Sequence, residues 1–285
     1  LGQKSFAPAK PMCKHWSMSL ETEYSPSSVA HHSVPWYIEQ YGAKSSATRN
    51  LLGEDLRKIA YGTHEDEYLL LAQHSPVAPL LVFIHGGYWK ALSADECCMW
   101  ASDALAQGIS FASINYTLAP HATLAHIVQQ CRSALLWLEQ HSQLTPQNTV
   151  VSGSSAGAHL AAMCSTSDPS NNFITGAVLL SGVYDLRPLL HTTVNDPLQL
   201  TQDEAIDLSP QLQAVSPIAQ VVVAWGEHET NSFKDQSHNY AEHLTAGGCN
   251  VAQIEVEGCD HFDVIYDLVT PATPLGDATL QLLLR

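Results

Sequence analysis

Thr149-Val-Val-Ser-Gly-Ser-Ser-Ala-Gly-Ala-His159 runs from an apolar, β-branched stretch through a Gly-x-Ser-x-Gly pattern into small residues. The order predicts a strand over Thr149–Gly153, a tight turn at Ser155 and a helix over Ala156–Ser165. A serine on such a turn takes strained backbone that lifts its hydroxyl off the sheet. Glycines at 153 and 157 let strand and helix approach closely. A Gly/Ser-rich connection could carry the five-residue pattern by chance; the strand-turn-helix context makes Ser155 a candidate nucleophile.

Working outward, the same alternation continues. Further strands are expected at Leu80–His85, Ser110–Tyr116, Ala177–Ser181, Gln220–Trp225 and Asn250–Glu255, and helices at Ala94–Gln107, Leu124–His141, Ser232–Ala246 and Pro274–Leu284. Short apolar runs separated by amphipathic stretches describe an α/β domain, a mostly parallel sheet with crossover helices on both faces. Asp55–Tyr61 and Glu67–Ala72, joined by the polar turn Gly62–Asp66, read as an antiparallel pair leading into it. Residues 18–50 carry no decisive period. Arg187 to Pro217 reads as an insertion over the carboxyl edge of the sheet, where α/β ligand sites lie. We expect one domain over 18–285, preceded by an N-terminal extension or expression remnant at 1–17.

The composition narrows the function classes. Twelve Lys and Arg against 28 Asp and Glu give a charge of -16, with no basic stripe, which disfavours nucleic acid and anionic membranes as partners. No apolar run approaches the length of a membrane span. Seven irregularly spaced cysteines without a C-x-x-C pair fit free, packed thiols in a reducing cytoplasm. His31-His32 is an isolated pair, and neither a metal-binding nor a dinucleotide pattern is present, so no metal or cofactor is expected. The partner is then a small-molecule substrate. Oligomeric state stays open, a homodimer included.

A second motif, His85-Gly-Gly-Tyr-Trp-Lys90, follows the strand at 80–85 about 70 residues before the serine, as the HGG oxyanion loop of lipases and esterases does in the α/β-hydrolase fold. The N–H groups of Gly86 or Gly87, with that of Ala156, would receive an oxyanion. His85 and His159 border the motifs and read as structural support. Among 15 histidines, His261 follows the last strand and its short loop, and so occupies the base position in the order Ser, acid, His. The acid should leave the preceding strand: Gly226-Glu-His-Glu229 puts Glu229 at the usual offset, with Glu227 and Asp235 as competitors.

At these residues the chain resembles the kynurenine formamidase (arylformamidase) family of the α/β-hydrolases. The likeness runs from about Leu20 to Asp263 through Glu23-Tyr-Ser-Pro-Ser27, His85-Gly-Gly-Tyr-Trp89, Tyr116-Thr-Leu-Ala-Pro120, Gly153-Ser-Ser-Ala-Gly-Ala-His159, Ser181-Gly-Val-Tyr-Asp-Leu186 and Asp260-His-Phe-Asp263. It implies cofactor-free hydrolysis of N-formylkynurenine to kynurenine and formate, with Ser155, His261 and Glu229 as triad. Tyr88, Trp89 and Tyr184 are expected to line the aromatic pocket. The chain departs from the family pattern at Ser154, where many relatives have His, and at Glu229, where Asp is usual. A carboxylesterase on the same machinery is the near alternative. A non-catalytic binding protein is the distant one, and it would be expected to have lost the base.

Overall fold

Apolar residues that alternate along each central strand divide between the two faces of one sheet. In the computed structural model, which describes residues 20–140, 144–168 and 173–285, Leu80, Val82, Val151, Leu179 and Val223 join one core. Leu81, Phe83, Val150, Val178 and Val222 join another on the opposite side. A sheet apolar on both faces requires cover on both.

The strands are β1 (Leu56–Ala60), β2 (Tyr68–Ala72), β3 (Leu80–Ile84), β4 (Ser110–Ile114), β5 (Thr149–Ser154), β6 (Gly176–Leu180), β7 (Gln220–His228) and β8 (Asn250–Asp260). They form a single sheet in the order β1-β2-β4-β3-β5-β6-β7-β8. β2 pairs antiparallel with β1 and β4, and the rest is parallel. The expected antiparallel entry and parallel centre are both present.

The helices are α1 (Val34–Leu52), α2 (Ala101–Ala106), α3 (Leu124–Gln140), α4 (Ala156–Cys164), α5 (Asn195–Leu198), α6 (Gln202–Asp207), α7 (Asn231–Ala246) and α8 (Pro274–Leu283). α3, α4 and α7 cover the first face, and α1, α2 and α8 the second. The 187–217 insertion is made of α5, α6 and short 3-10 turns. α2 is shorter than the expected 94–107 because side chains and turns take the backbone donors before it: Asn115 Oδ1 accepts from Ala94 N–H at 3.0 Å and Ser45 Oγ from Cys98 N–H at 3.2 Å.

The largest departure is α1, in the region without a decisive period. Its buried face is Tyr37, Tyr41, Ser45 and Thr48, spaced for a helix but polar at the tips. Each hydroxyl donates a hydrogen bond: Tyr37 to Asp260, Tyr41 to the Phe262 carbonyl, Ser45 to the Glu96 carbonyl and Thr48 to the Met99 carbonyl. The expected extension at 1–17 and Cys13 lie outside the described residues. Among the described residues the other six cysteines are not in disulfides, and five of them are buried. No described helix is long and apolar enough to cross a membrane.

Candidate active site

Parallel pairing brings the site residues to one edge of the sheet. In the β5–β6 register Ser154 faces Leu180, and in the β7–β8 register His228 faces Asp260. Ser155, Glu229 and His261 therefore each stand one residue past the end of a strand. β7 and β8 both run further than the sequence suggests, so His261 leaves β8 directly instead of through a short loop.

Ser155 has φ 56° and ψ -120°, a conformation in which a side chain costs roughly 1–3 kcal/mol and that only surrounding structure can hold. Its N–H donates to the Leu180 carbonyl at 2.8 Å, and its carbonyl accepts from Ala158 and His159 N–H. A Cβ on Gly153 would lie 2.2 Å from the Gly157 carbonyl oxygen, and one on Gly157 only 2.0 Å from that of Ile84. The strained turn and the close approach expected from the motif are thus present.

His261 is buried, and its Nδ1 lies 3.0 Å from Glu229 Oε2. With Nδ1–H given to the carboxylate, Nε2 is the basic nitrogen. Glu229 Oε1 accepts from Gly226 N–H at 2.6 Å and from the Ser181 hydroxyl at 2.5 Å. Phe233 packs edge-on against the imidazole, 4.5 Å between ring centres. The competing acids are elsewhere: Glu227 accepts from Gly258 N–H at 2.8 Å, and Asp235 lies exposed on α7.

The loop after β3 brings Gly86 against the turn, where a Cβ would stand 2.7 Å from the Ser154 carbonyl oxygen. Gly87 takes φ 91°, and the next two residues, Tyr88 and Trp89, also have positive φ. Ala156 opens α4, so its N–H belongs to a helix N-terminus, where a negative oxygen is favoured. Support comes from two fully buried histidines. His85 stacks on Tyr116 at 4.1 Å with Nδ1 3.0 Å from the Gly86 carbonyl, and His159 Nε2 lies 2.7 Å from that of Leu208. Burial lowers both to about 4, against the opposing effect of those hydrogen bonds, which keeps them neutral.

Ser155 and His261 border a cavity of about 380 Å³ together with Gly86, Gly87 and Tyr88. Its apolar wall also includes Tyr37, Ile38, Tyr41, Phe83, Leu92, Phe262 and Ile265, and Glu21 and Lys90 add charge. Two of the three expected aromatic lining residues lie away from it. Trp89 is fully buried, edge-on to His159 at 5.1 Å, and Tyr184 is fully buried, stacked on Tyr240 at 4.1 Å. Packing against His159 takes Trp89 into the core, and stacking on Tyr240 takes Tyr184 there beneath α7. Tyr88 alone of the three reaches the cavity, its hydroxyl donating to the Tyr24 carbonyl at 2.6 Å.

Sequence reading missed the N-terminal contribution. Residues 20–41 supply Glu21, Tyr24, Pro26, Val34, Tyr37, Ile38 and Tyr41 to the wall. Nor is His31 isolated: its Nδ1 lies 3.5 Å from Asp263 and 3.7 Å from Asp260. These three residues each bring a ligand atom within 4.8 Å of the others. Asp260 is nevertheless committed to hydrogen bonds, accepting from Tyr37 O–H at 2.6 Å and from the N–H groups of His31, Phe262 and Asp263. Burial by itself would raise its pKa. Those donors outweigh that and hold it below the ordinary carboxylate value. The spacing of Tyr37 and Tyr41 was the signal that could have revealed this wall.

Two relatives are similar over almost their whole length. A kynurenine formamidase of Danio rerio is 33% identical, covering 88% of this chain and 90% of its own. One of Salmo salar is 34% identical, covering 93% and 95%. This chain belongs to the kynurenine formamidase family. The BD-FAE family model matches residues 66–221, a span that contains the Ser155 turn and the HGG loop. Glu229, His261 and the α1 wall fall outside that span but inside the likeness to the kynurenine formamidases. Among solved structures, a candidate thioesterase from Silicibacter sp. TM1040 superimposes with TM-score 0.80 at 28% identity, covering 90% of this chain and 97% of its own. An esterase of Pyrobaculum calidifontis does so with 0.67 at 18%, covering 96% and 97%, which supports the α/β-hydrolase fold.

Proposed function

We propose that this protein hydrolyses aryl formamides of the N-formylkynurenine type, releasing the arylamine and formate, with Ser155 as nucleophile, His261 as base and Glu229 as acid. The observation that carries the proposal is the meeting of the Ser155 turn, the Glu229–His261 pair and the Gly86–Gly87 loop around one aromatic-walled cavity.

In this reading His261 Nε2 takes the Ser155 proton as Oγ attacks the formyl carbon. The oxyanion is received by N–H groups of Ala156 and the Gly86–Gly87 loop. As the C–N bond breaks, His261 returns the proton to the departing arylamine nitrogen. Water, deprotonated by the same imidazole, then attacks the formyl ester and releases formate, restoring the Ser155 hydroxyl. A formyl carbon bears only hydrogen, so little room is needed beside Ser155, and the cavity serves the ring. Lys90 and Glu21 at the same cavity offer charges complementary to the carboxylate and ammonium of an amino-acid side arm. Buried cysteines kept as thiols support a cytoplasmic setting.

The test is the loss of N-formylkynurenine's near-ultraviolet absorbance with purified protein, alongside Ser155→Ala and p-nitrophenyl acetate. Fast deformylation that Ser155→Ala abolishes is expected. Ester cleavage preferred by orders of magnitude would place the chain among the esterases instead.

A further inference from the structure

We propose that Ser181 is a positioning residue of the triad, acting through Glu229; the inference rests on the reading of Ser155, His261 and Glu229 given above. Leu180 faces Ala224 in the β6–β7 register, and Ser181 N–H donates to the Ala224 carbonyl at 2.8 Å. Ser181 thus stands one residue past β6, on the strand between those that carry the nucleophile and the acid. Its side chain is fully buried and donates to Glu229 Oε1 at 2.5 Å, while Gly226 N–H donates to the same oxygen at 2.6 Å. The other oxygen, Oε2, is left to His261 Nδ1 at 3.0 Å.

This division answers a geometric problem. Glutamate has one more rotatable bond than the aspartate usual at this place, so its carboxylate needs anchoring to present one oxygen steadily to the imidazole. Two donors on Oε1 supply the anchor. Ser181 holds φ 51°, where glycine is the residue without steric penalty, yet a side chain is present and its hydroxyl is spent on the acid. The Ser181–Leu186 stretch therefore bears on the site through its first residue, while its Tyr184 packs against Tyr240.

The experiment is a double-mutant cycle on kcat and KM, with N-formylkynurenine and p-nitrophenyl acetate in parallel. Ser181→Ala and Ser181→Gly are each made alone, and Ser181→Ala is also made in a Glu229→Ala background. Both single variants are expected to lower kcat roughly tenfold with KM within about twofold, as loss of a buried hydrogen bond to a charged group does. Glycine should do no better than alanine although it suits φ 51°, and it keeps the test available should the alanine variant fail to melt cooperatively. In the Glu229→Ala background the further loss should be less than about twofold, because there is no carboxylate left to position. Wild-type kcat in Ser181→Gly, or an equal loss in both backgrounds, would overturn the inference. Full activity in Glu229→Ala would instead remove the underlying acid assignment. A collapse of activity there with Ser181→Ala neutral would remove only the role of Ser181.

Discussion

The turn between β5 and α4 and the N-terminal helix α1 both border the cavity, and they are held there by opposite means. The turn is fixed by backbone against backbone, with no space for a Cβ at Gly153 or Gly157. α1 is fixed by side-chain hydroxyls reaching buried acceptors, chief among them Tyr37 on Asp260. In the proposed reading the turn carries the reacting group, while α1 supplies part of the cavity wall.

The hardest break of this contrast is on the turn itself. Gly157→Ala forces a methyl onto the carbonyls of Ile84, the last residue of β3, and of His85 just after it, both backbone atoms that a side chain cannot push aside cheaply. The expected outcome is loss of the cooperative thermal transition and of all activity. A folded, active Gly157→Ala protein would refute the backbone account.

Acid separates the two regions next. His85 and His159 flank the turn, and burial lowers both to about 4. An unfolded chain takes up protons on these residues below about pH 6.5, whereas the folded one resists until about 4. The unfolded state then binds more protons, so the stability they contribute is complete above pH 6.5 and falls as pH drops toward 4, by up to roughly 3 kcal/mol per histidine. Asp260 behaves differently: its lowered carboxyl gives stability that is lost only below the ordinary value of 3.8. Thermal melts should therefore weaken between pH 6.5 and 4.5 while the Tyr37–Asp260 clamp is intact, and His159→Gln should flatten that slope. A Tm independent of pH across this range would contradict the assignment.

These two outcomes bear on what the sequence could disclose. Backbone constraints leave glycine and serine in fixed places, and so the turn, the HGG loop and the strand order were legible. The strand ends were less so, because Gly226-Glu-His228 and Val256–Asp260 look like loop; pairing across the irregularity between Gly226 and His228 makes them strand. α1 was hidden because its buried face is Tyr, Tyr, Ser and Thr, and hydroxyl docking leaves no apolar stripe to read. Trp89 and Tyr184 were misplaced because an aromatic beside a motif does not disclose which way the chain then turns.

Smaller effects sharpen the α1 side. Tyr37→Phe removes a donor to a buried carboxylate and should cost about 1–3 kcal/mol, lowering Tm by several degrees, with Ser155 reactivity toward p-nitrophenyl acetate largely kept. An unchanged Tm would show that the clamp does not hold the helix. The smallest expected effect is at the mouth. Lys90→Gln should raise KM for N-formylkynurenine by about two- to fivefold, as an exposed ion pair does, and leave p-nitrophenyl acetate unaffected. Equal changes for both substrates would argue against recognition of an amino-acid side arm.

The most direct test of the central claim is titration with a fluorophosphonate, following adduct mass by peptide mapping and N-formylkynurenine deformylation in the same samples. A single adduct on the peptide containing Ser155 is expected, with a loss of deformylation in proportion to labelling. Deformylation that survives complete labelling of Ser155 would contradict it.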